Sequence, residues 1–270
     1  MTTVLIETPR PRARRGLFGA FLVVEAMSIR SRRNWRGTFI VGTIVPVCFL
    51  AALGFGLGSL VPPGAFGAHV SYLAFLAPAL LASSTVQYGI SEAAEPVMAG
   101  FKWQRTYEAA VATPVTAGQL MLGHLCWIVV RLLLVSVLFF VAMAAFGVVT
   151  SPSTLLAVPF AVLGSLSAAA PVMAYAATVR DGSAFTLMNR LVVVPMVMFS
   201  GTFFPIAQLP SAVQAVVWLT PLSHTVALCR GVALGGLTGL DLALHLGVLL
   251  AWLLLGAALA RSRFVTRLAS

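Results

Sequence analysis

Few side chains in this sequence could do chemistry, and the largest group of them lies in one polar segment, residues 92–115, between two long apolar segments. This segment contains three of the seven acidic residues, Glu92, Glu95 and Glu108, and two cations, Lys102 and Arg105. Its two cations predict a cytoplasmic position by the positive-inside rule. Residues 104–112 are good helix formers and precede Pro114, so we predict a short helix across the cytoplasmic mouth of the membrane part. We interpret this helix as the place where a soluble partner acts on the membrane part.

The motifs that bind ATP or a catalytic metal are missing from the sequence. A Walker A loop needs Gly-Lys-Ser/Thr, whereas the only lysine, Lys102, lies between Phe101 and Trp103. The histidines are scattered and form no His-Glu-x-x-His pattern: His69, His124, His224 and His245. Ser200 and His224 lack the strand-and-turn context of a serine nucleophile. We therefore expect no catalytic site, no bound metal and no cofactor on this chain.

The cysteines stand alone in apolar surroundings: Cys48, Cys126 and Cys229. Because no two of them form a Cys-x-x-Cys pair, the sequence predicts neither a disulfide framework nor a metal site. We expect all three to be small buried hydrophobic residues.

The composition is that of an integral membrane protein. The 270 residues are 60% hydrophobic and 9% charged, whereas soluble domains average about 25% charged residues. The formal net charge of +10 comes largely from arginines that flank apolar segments near the two chain ends, residues 10–36 and 261–267. Such clusters are typical of anchoring beside anionic lipid, so we expect no nucleic-acid partner.

Hydropathy and charge predict an all-α polytopic protein with six transmembrane helices. The spans are expected at about residues 38–61, 69–93, 117–149, 155–179, 188–203 and 240–260. Residues 1–15 form a basic cytoplasmic tail, and residues 16–36 form an interfacial helix or, as an alternative, the first half of a long tilted span. The six spans constitute one transmembrane domain, residues 37–270. Both termini are then cytoplasmic, and all cations except Arg131 and Arg230 lie on the cytoplasmic side.

Between the fifth and sixth spans, the sequence predicts an external re-entrant helical hairpin at about residues 205–236. Pro205 and Pro210 break the preceding helix, and the two helical pieces that follow, residues 211–219 and about 221–234, are too short to cross. Such a hairpin is possible only where protein shields its backbone from lipid.

Two arginines lie away from the cytoplasmic clusters and have open interpretations. Arg131 lies about 15–20 Å along the third predicted helix, deep enough to require a partner or water. It either faces a substrate path or links to Glu92 or Glu108, or else it is a structural ion pair or a snorkelling arginine. Arg230 and His224 either meet an anionic substrate group or anchor the hairpin, and we favour the second.

Three motifs in register carry a family resemblance: Gln104-Arg-Thr-Tyr-Glu-Ala109, Phe199-Ser-Gly-Thr-Phe-Phe-Pro205 followed by Gln208-Leu-Pro210, and Pro221-Leu-Ser-His224 with Arg230. On this predicted topology, the chain from about Tyr72 to Arg267 resembles the membrane subunits of type 2 ABC exporters. It is most similar to the branch of nodulation lipo-oligosaccharide and daunorubicin-resistance-type permeases. Tyr107 stands where that family often has Trp.

The resemblance implies the partners and the site residues. Two copies of the permease, as a homodimer or a pair with a similar permease, would assemble with two cytoplasmic ATPase subunits that bind ATP and Mg²⁺. The segment at about 95–114 would be the coupling loop, with these residues facing the ATPase: Glu95, Lys102, Gln104, Arg105, Thr106, Tyr107 and Glu108. The interfacial helix would touch the same subunit. The external hairpin would help to close the exit, with these gate residues: Phe203, Phe204, Pro205, His224 and Arg230.

We therefore predict a permease in the bacterial cytoplasmic (inner) membrane that exports a hydrophobic or amphiphilic molecule. Relatives export drugs, glycolipids and polysaccharides, so the resemblance does not name the substrate. The alternative is an ATP-independent carrier or channel, whose efflux would survive loss of every ATPase and collapse with the proton gradient. An intramembrane enzyme is a third possibility, but the sequence has no catalytic constellation.

Overall fold

The computed structural model describes residues 18–32, 36–37, 40–56, 58, 60, 70–149, 151–179 and 182–269. In these ranges all regular structure is helical. The α-helices are α1 Phe18–Ser31, α2 Val45–Gly56, α3 Tyr72–Lys102, α4 Thr106–Val111, α5 Ala117–Ala145, α6 Ala157–Ala176, α7 Ser183–Met188, α8 Val194–Phe199, α9 Ser211–Val217, α10 Pro221–Leu234 and α11 Gly239–Ala269. Short π-helices, Ile40–Ile44 and Asn189–Val193, precede α2 and α8, and 3₁₀ turns, Pro152–Leu156 and Ile206–Gln208, precede α6 and α9. The predicted tail, residues 1–15, lies outside the described residues.

Four helices in the described ranges are long and apolar enough to cross a membrane: α3, α5, α6 with its 3₁₀ turn, and α11. They coincide with the second, third, fourth and sixth predicted spans. The first and fifth predicted spans correspond to shorter apolar helices, Gly42–Gly56 and Ser183–Phe199. An all-helical multi-pass membrane protein is thus confirmed, whereas the count of six crossings stays a prediction.

The helix boundaries follow from local sequence signals. Ser71 caps α3 by accepting a hydrogen bond from the backbone N–H of Ala74 at 3.1 Å. Thr116 and Gln119 form a reciprocal capping box at the start of α5. Gly147 and Gly235, both with positive φ, follow the ends of α5 and α10.

Helix α3 continues beyond its predicted end. We expected the span to end near Ala93 and a loop to follow, but the helix runs to Lys102 with Pro96 inside it. Glu92 and Glu95 are therefore helical residues and not loop residues. The helix can continue through Pro96 because a neighbouring side chain can satisfy the backbone carbonyl that a proline leaves without its donor.

Helix α3 is the centre of the bundle and α11 lies at its edge. In its most apolar window 72% of α3 is buried, compared with 17% for α11. Close contacts hold α6 to its neighbours: a Cβ added at Gly89 would lie 2.0 Å from Oγ of Ser165, and one added at Gly164 would lie 1.8 Å from Oγ1 of Thr225. Small residues at helix contacts are the usual means of close packing in membranes.

The three cysteines differ in exposure. Cys48 and Cys126 are exposed and only Cys229 is buried, so the prediction of three buried cysteines was wrong for two of them. The outer faces of these helices are apolar as well, and hydrophobic surroundings in the sequence do not distinguish a lipid-facing position from a core position. Gly54 of α2 packs closely against α3, since a Cβ there would lie 2.2 Å from Cδ1 of Leu73.

The predicted hairpin region contains two helices, α9 and α10, whose axes are bent by 87° at a short break. Pro221 occupies the first position of α10, where its missing N–H leaves no helical bond unmade. The placement of α9 and α10 as a re-entrant hairpin in the outer leaflet stays a prediction.

Candidate functional site

A cavity of about 1040 Å³ opens at one end of the bundle, between α1, the second half of α3, α4, α5, α7 and the π-helix that follows α7. Its charged lining residues are Arg30, Glu92, Glu95, Arg131 and Arg190. We call this region, together with residues 102–111, the cavity end. The opposite region, residues 200–235 with the helix starts that contact them, is the hairpin end.

The seven predicted coupling residues separate into two groups at the cavity end. Four line the cavity: Glu95, Gln104, Thr106 and Tyr107. The other three, Lys102, Arg105 and Glu108, are exposed but are not among the lining residues. The segment therefore has one side on the cavity and one side available to solvent or a partner.

An ion pair forms part of the cavity wall. Nη1 of Arg131 on α5 lies 2.7 Å from Oε2 of Glu92 on α3, and the two side chains are 17% and 13% exposed. The guanidinium also lies over the ring of Tyr88, 5.5 Å from its centroid. Of the predicted partners Arg131 thus contacts Glu92, and its position on the cavity is compatible with the predicted substrate path.

A buried histidine that sequence reasoning missed links α3 to α5. Pro96 has no N–H to donate to the backbone carbonyl of Glu92, four residues earlier, and Nε2 of His124 lies 3.3 Å from that carbonyl oxygen. Because a carbonyl only accepts, Nε2 of His124 is the donor. The signal available in the sequence was a proline within a helix, which implies that a side chain from another element satisfies the freed carbonyl.

The same histidine connects to the predicted coupling helix, α4. The hydroxyl of Tyr107 lies 2.9 Å from Nδ1 of His124. With Nε2 protonated, neutral His124 accepts at Nδ1, so Tyr107 donates. Burial raises the pKa of the Tyr107 phenol, which keeps the hydroxyl protonated and able to donate. The side chain of Tyr107, the backbone of Glu92 and the ring of His124 therefore form one chain of hydrogen bonds across three helices.

Aromatic packing fixes the ring of Tyr107. Its centroid lies 4.7 Å from that of Phe101 on α3 and 5.6 Å from that of Phe264 on α11. A Cβ added at Gly100 would lie 2.6 Å from Cζ of Tyr107, so glycine provides the space for this ring. Helix α4, although only Thr106–Val111, is thus fastened to the bundle by one buried side chain.

The turn between α3 and α4 has an unusual backbone at Arg105. Its φ of 45° is the only positive φ of a non-glycine residue in the described ranges. Arg30 on α1 donates a hydrogen bond to Oε1 of the neighbouring Gln104, which joins the N-terminal helix to this turn. The contact from Arg30 therefore supports the backbone of this turn, which carries exposed side chains and leads into α4.

The hairpin end contains the predicted gate residues, but it does not gather them into one cluster. Arg230 donates to the carbonyl oxygens of Gly201 at 2.8 Å and Phe75 at 3.3 Å, and its guanidinium lies 3.7 Å from the centroid of the Phe75 ring. Phe203 contacts Phe49 edge to face, with centroids 6.1 Å apart. Phe204 and Pro205 are half-buried in the turn that follows.

His224 has partners of its own at the hairpin end. Its Nε2 lies 2.8 Å from the carbonyl oxygen of Trp218, and its Nδ1 lies 2.7 Å from Nδ1 of His245 on α11. Since the carbonyl requires a donor at Nε2, neutral His224 accepts at Nδ1 from His245. These contacts fasten α10 to α11 and to the break before α10, and the anchoring role of His224 stays a prediction.

Comparison with known proteins agrees with this architecture. The family described as ABC-2 type transporter matches residues 20–234, which includes α1, a helix on which the motif resemblance did not rest. Nodulation protein J of Rhizobium meliloti (strain 1021) is 33% identical over 231 residues, covering 84% of this chain and 87% of the relative. Nodulation protein J of Rhizobium leguminosarum bv. trifolii is 33% identical over 224 residues, covering 82% and 84%. That of Neorhizobium galegae is 31% identical over 210 residues, covering 78% and 79%. The chain therefore belongs to the ABC-2 type transporter family.

Proposed function

We propose that this chain is the permease subunit of an ATP-driven exporter, with ATP and Mg²⁺ bound by a separate cytoplasmic ATPase that docks on the outer face of α4. Family membership supports a membrane transport component with an ABC ATPase partner. The observation that supports docking at α4 is that this segment has one exposed, charged side and one buried side. Arg105, just before α4, and Glu108 within it are exposed, while the buried Tyr107 of α4 contacts the polar network of the membrane helices.

The hydrogen-bond chain provides the route by which force on α4 would reach the membrane helices. Movement of α4 displaces Tyr107, and the ring cannot move alone because Phe101 and Phe264 enclose it. Through His124 the displacement acts on the backbone of Glu92, whose side chain holds Arg131. The Glu92–Arg131 pair is thus the element that we expect to differ between the two transport states, since an energy input needs contacts that differ between states.

The topology in this proposal has six crossings, both termini in the cytoplasm and the hairpin end outside. The shorter helices Gly42–Gly56 and Ser183–Phe199 serve as the first and fifth crossings. The protein lies in a bacterial inner membrane as two copies, a homodimer or a pair with a similar permease, with two ATPase subunits. Its substrate is a hydrophobic or amphiphilic molecule, such as a drug, glycolipid or lipo-oligosaccharide. His224 and Arg230 help to hold the external hairpin that closes the exit.

The experiment that tests this function is affinity purification of the tagged chain from mild detergent, with the co-purified proteins assayed for ATPase activity. We expect an ATPase with the native chain and a clear reduction with Arg105→Glu or Glu108→Arg, because both change charge on the exposed face of the segment. Gln208→Glu is the matched control, since Gln208 is exposed at the opposite, hairpin end. It should leave ATPase recovery unchanged.

An absence of ATPase from every sample of folded protein would contradict the proposal. The competing function is then an ATP-independent carrier, for which the Glu92–Arg131 pair on the cavity would be the first candidate for proton coupling. Efflux that survives deletion of the partner ATPases and collapses with the proton gradient would establish that alternative.

A further inference from the structure

The charges that line the cavity are not all used by the fold. Three arginines from three elements face two glutamates around it. Arg131 is held by Glu92, and Arg30 donates to Gln104. Arg190, in contrast, makes no hydrogen bond or ion pair with any residue in the described ranges. A cation is therefore available on the cavity wall.

Arg190 lies in an unusual local structure. It belongs to the π-helix Asn189–Val193 and, with exposed Asn189, interrupts a largely apolar stretch between Ala184 and Phe199. π-Helices are rare and are frequent at functional sites, because the extra residue redirects side chains. An ionisable residue in an apolar helix is by default a candidate binding residue.

The rest of the wall combines polar side chains, among them Gln104, Thr186 and Asn189, with apolar and aromatic ones. Met27, Phe185 and Met188 line it, together with the rings of Trp103 and Trp127. Next to Arg190, the outward side chains of Leu187 and Leu191 are 59% and 66% exposed. The volume of about 1040 Å³ is at the upper end of ligand sites, which run from about 300 to 1,000 Å³. Cations beside a partly apolar wall and two exposed leucines suit a ligand with a charged, polar head and an apolar body.

We propose that the cavity binds the anionic headgroup of a membrane amphiphile, with Arg190 as its principal cation and Arg30 as a second. A guanidinium donates two parallel hydrogen bonds to a phosphate or carboxylate, which fits such a headgroup. The acyl part lies against Leu187 and Leu191. This inference rests on the proposed export function for its orientation and makes the cavity the place where the exported amphiphile enters from the inner leaflet.

Glu95 gives the proposal a second, opposite prediction. It is exposed, lines the same cavity, and makes no ion pair or hydrogen bond with a described residue. Its carboxylate repels an anionic headgroup, so Glu95→Gln should strengthen binding while Arg190→Gln weakens it. A site that only needs apolar contacts would respond to neither change.

The experiment uses the purified full-length chain in detergent, with bound lipid counted by native mass spectrometry. Palmitoyl-oleoyl phosphatidylglycerol is the anionic probe, and phosphatidylcholine with the same chains is the zwitterionic control. We expect phosphatidylglycerol to bind more tightly, and Arg190→Gln to weaken that binding about tenfold, as expected for loss of a charge-assisted contact. Arg190→Lys should retain part of it, and Glu95→Gln should raise it. Arg263→Gln removes an exposed arginine outside the cavity, from the C-terminal cluster predicted to lie beside anionic lipid, and should weaken phosphatidylglycerol binding much less than Arg190→Gln does.

Three results would overturn the inference. Equal binding of the two lipids, or equal losses with Arg190→Gln and Arg263→Gln, would indicate a non-specific annulus of lipid. Displacement of the lipid by millimolar inorganic phosphate would assign the site to a free anion instead of an amphiphile. If Arg190→Gln fails to fold, the Glu95→Gln variant still tests the inference, because phosphatidylglycerol binding should rise in it and an unchanged binding would contradict the proposal. Recovery of the ATPase is measured in a separate purification. Selective lipid binding without a co-purified ATPase would reject only the proposed export complex. A co-purified ATPase without selective lipid binding would reject only the headgroup site.

Discussion

The cavity end and the hairpin end both place polar side chains inside an apolar bundle, but they satisfy them differently. At the hairpin end, Arg230 donates to backbone carbonyls and His224 pairs with His245 and with the carbonyl of Trp218. At the cavity end, Glu92 and Arg131 satisfy each other beside an open volume, and Arg190 is not paired with a described residue.

This difference indicates what each end can do. Polar groups bonded to backbone carbonyls stabilise one arrangement of the chain, because moving them leaves buried acceptors without donors. Polar groups that meet through side chains next to a cavity can exchange partners when the helices move or a ligand enters. We therefore infer that Arg230 holds one arrangement of the hairpin end, and that the Glu92–Arg131 pair is the contact at the cavity end that can change partners.

The largest effect is expected for loss of the ion pair at the cavity end. Arg131→Met leaves Glu92 as a largely buried carboxylate without its cation, and breaking such a pair destabilises by about 3 kcal/mol or more. The free energy of unfolding can be measured by denaturant titration of the purified chain in mixed micelles.

The control for this prediction removes both charges. Arg131→Met with Glu92→Leu has no stranded charge, and a similar pair of apolar residues is often as stable as the ion pair. We expect the double variant to regain most of the lost stability yet to lose transport, because its cavity end no longer has a pair to rearrange. Unchanged transport in a stable double variant would contradict the switching role of the Glu92–Arg131 pair.

At the hairpin end the matched change is Arg230→Met, with a somewhat smaller expected effect. The methionine keeps an apolar contact with the ring of Phe75 but leaves the carbonyl of Gly201 without its donor, a loss of about 2 kcal/mol. The same denaturant titration measures it. Arg230→Lys should recover part of the loss, since an ammonium reaches fewer of the carbonyls.

The stability and the export activity of the Arg230→Met variant together distinguish an anchoring role of Arg230 from a substrate contact. In the anchoring interpretation, the loss of export by Arg230→Met follows the loss of folded protein and is the same for anionic and neutral substrates. A normal stability with a selective loss of anionic substrates would contradict anchoring and place Arg230 on the substrate path.

Much of the fold was predictable because a bilayer imposes length and hydropathy on each crossing. Four predicted spans coincide with long apolar helices, and α4, Thr106–Val111, lies inside the predicted helix at residues 104–112. The end of α3 was not predictable, because Pro96 is a helix breaker by local propensity and only a tertiary contact from His124 compensates for it. Local helix propensity does not include contacts from other helices, such as the one from His124.

The region of the site was predictable, and its pairing only as alternatives. The exposed charges of the predicted coupling segment are evident in the sequence, whereas the choice between Glu92 and Glu108 as partner of Arg131 depends on the rotation of two helices, since Glu92 and Arg131 are 39 positions apart. The exposure of Cys48 and Cys126 was missed for a related reason, since core and lipid-facing sides of a membrane helix are both apolar. Arg190 was predicted only as a cytoplasmic-side cation, and its place on the cavity required the fold.

The smallest effect, and the most selective test of the cavity end, is expected for Tyr107→Phe. The ring keeps its packing against Phe101 and Phe264, and only the hydroxyl that donates to His124 is removed, for about 1 kcal/mol of stability. Tyr175→Phe is the matched control, because the Tyr175 hydroxyl has no hydrogen-bond partner in the described ranges and should give no change. If the chain of hydrogen bonds transmits force, Tyr107→Phe retains the ATPase in the purification but lowers the substrate exported per ATP hydrolysed. An unchanged transport ratio would mean that packing of the ring alone connects α4 to the bundle, and that the cavity end, like the hairpin end, moves as a rigid unit.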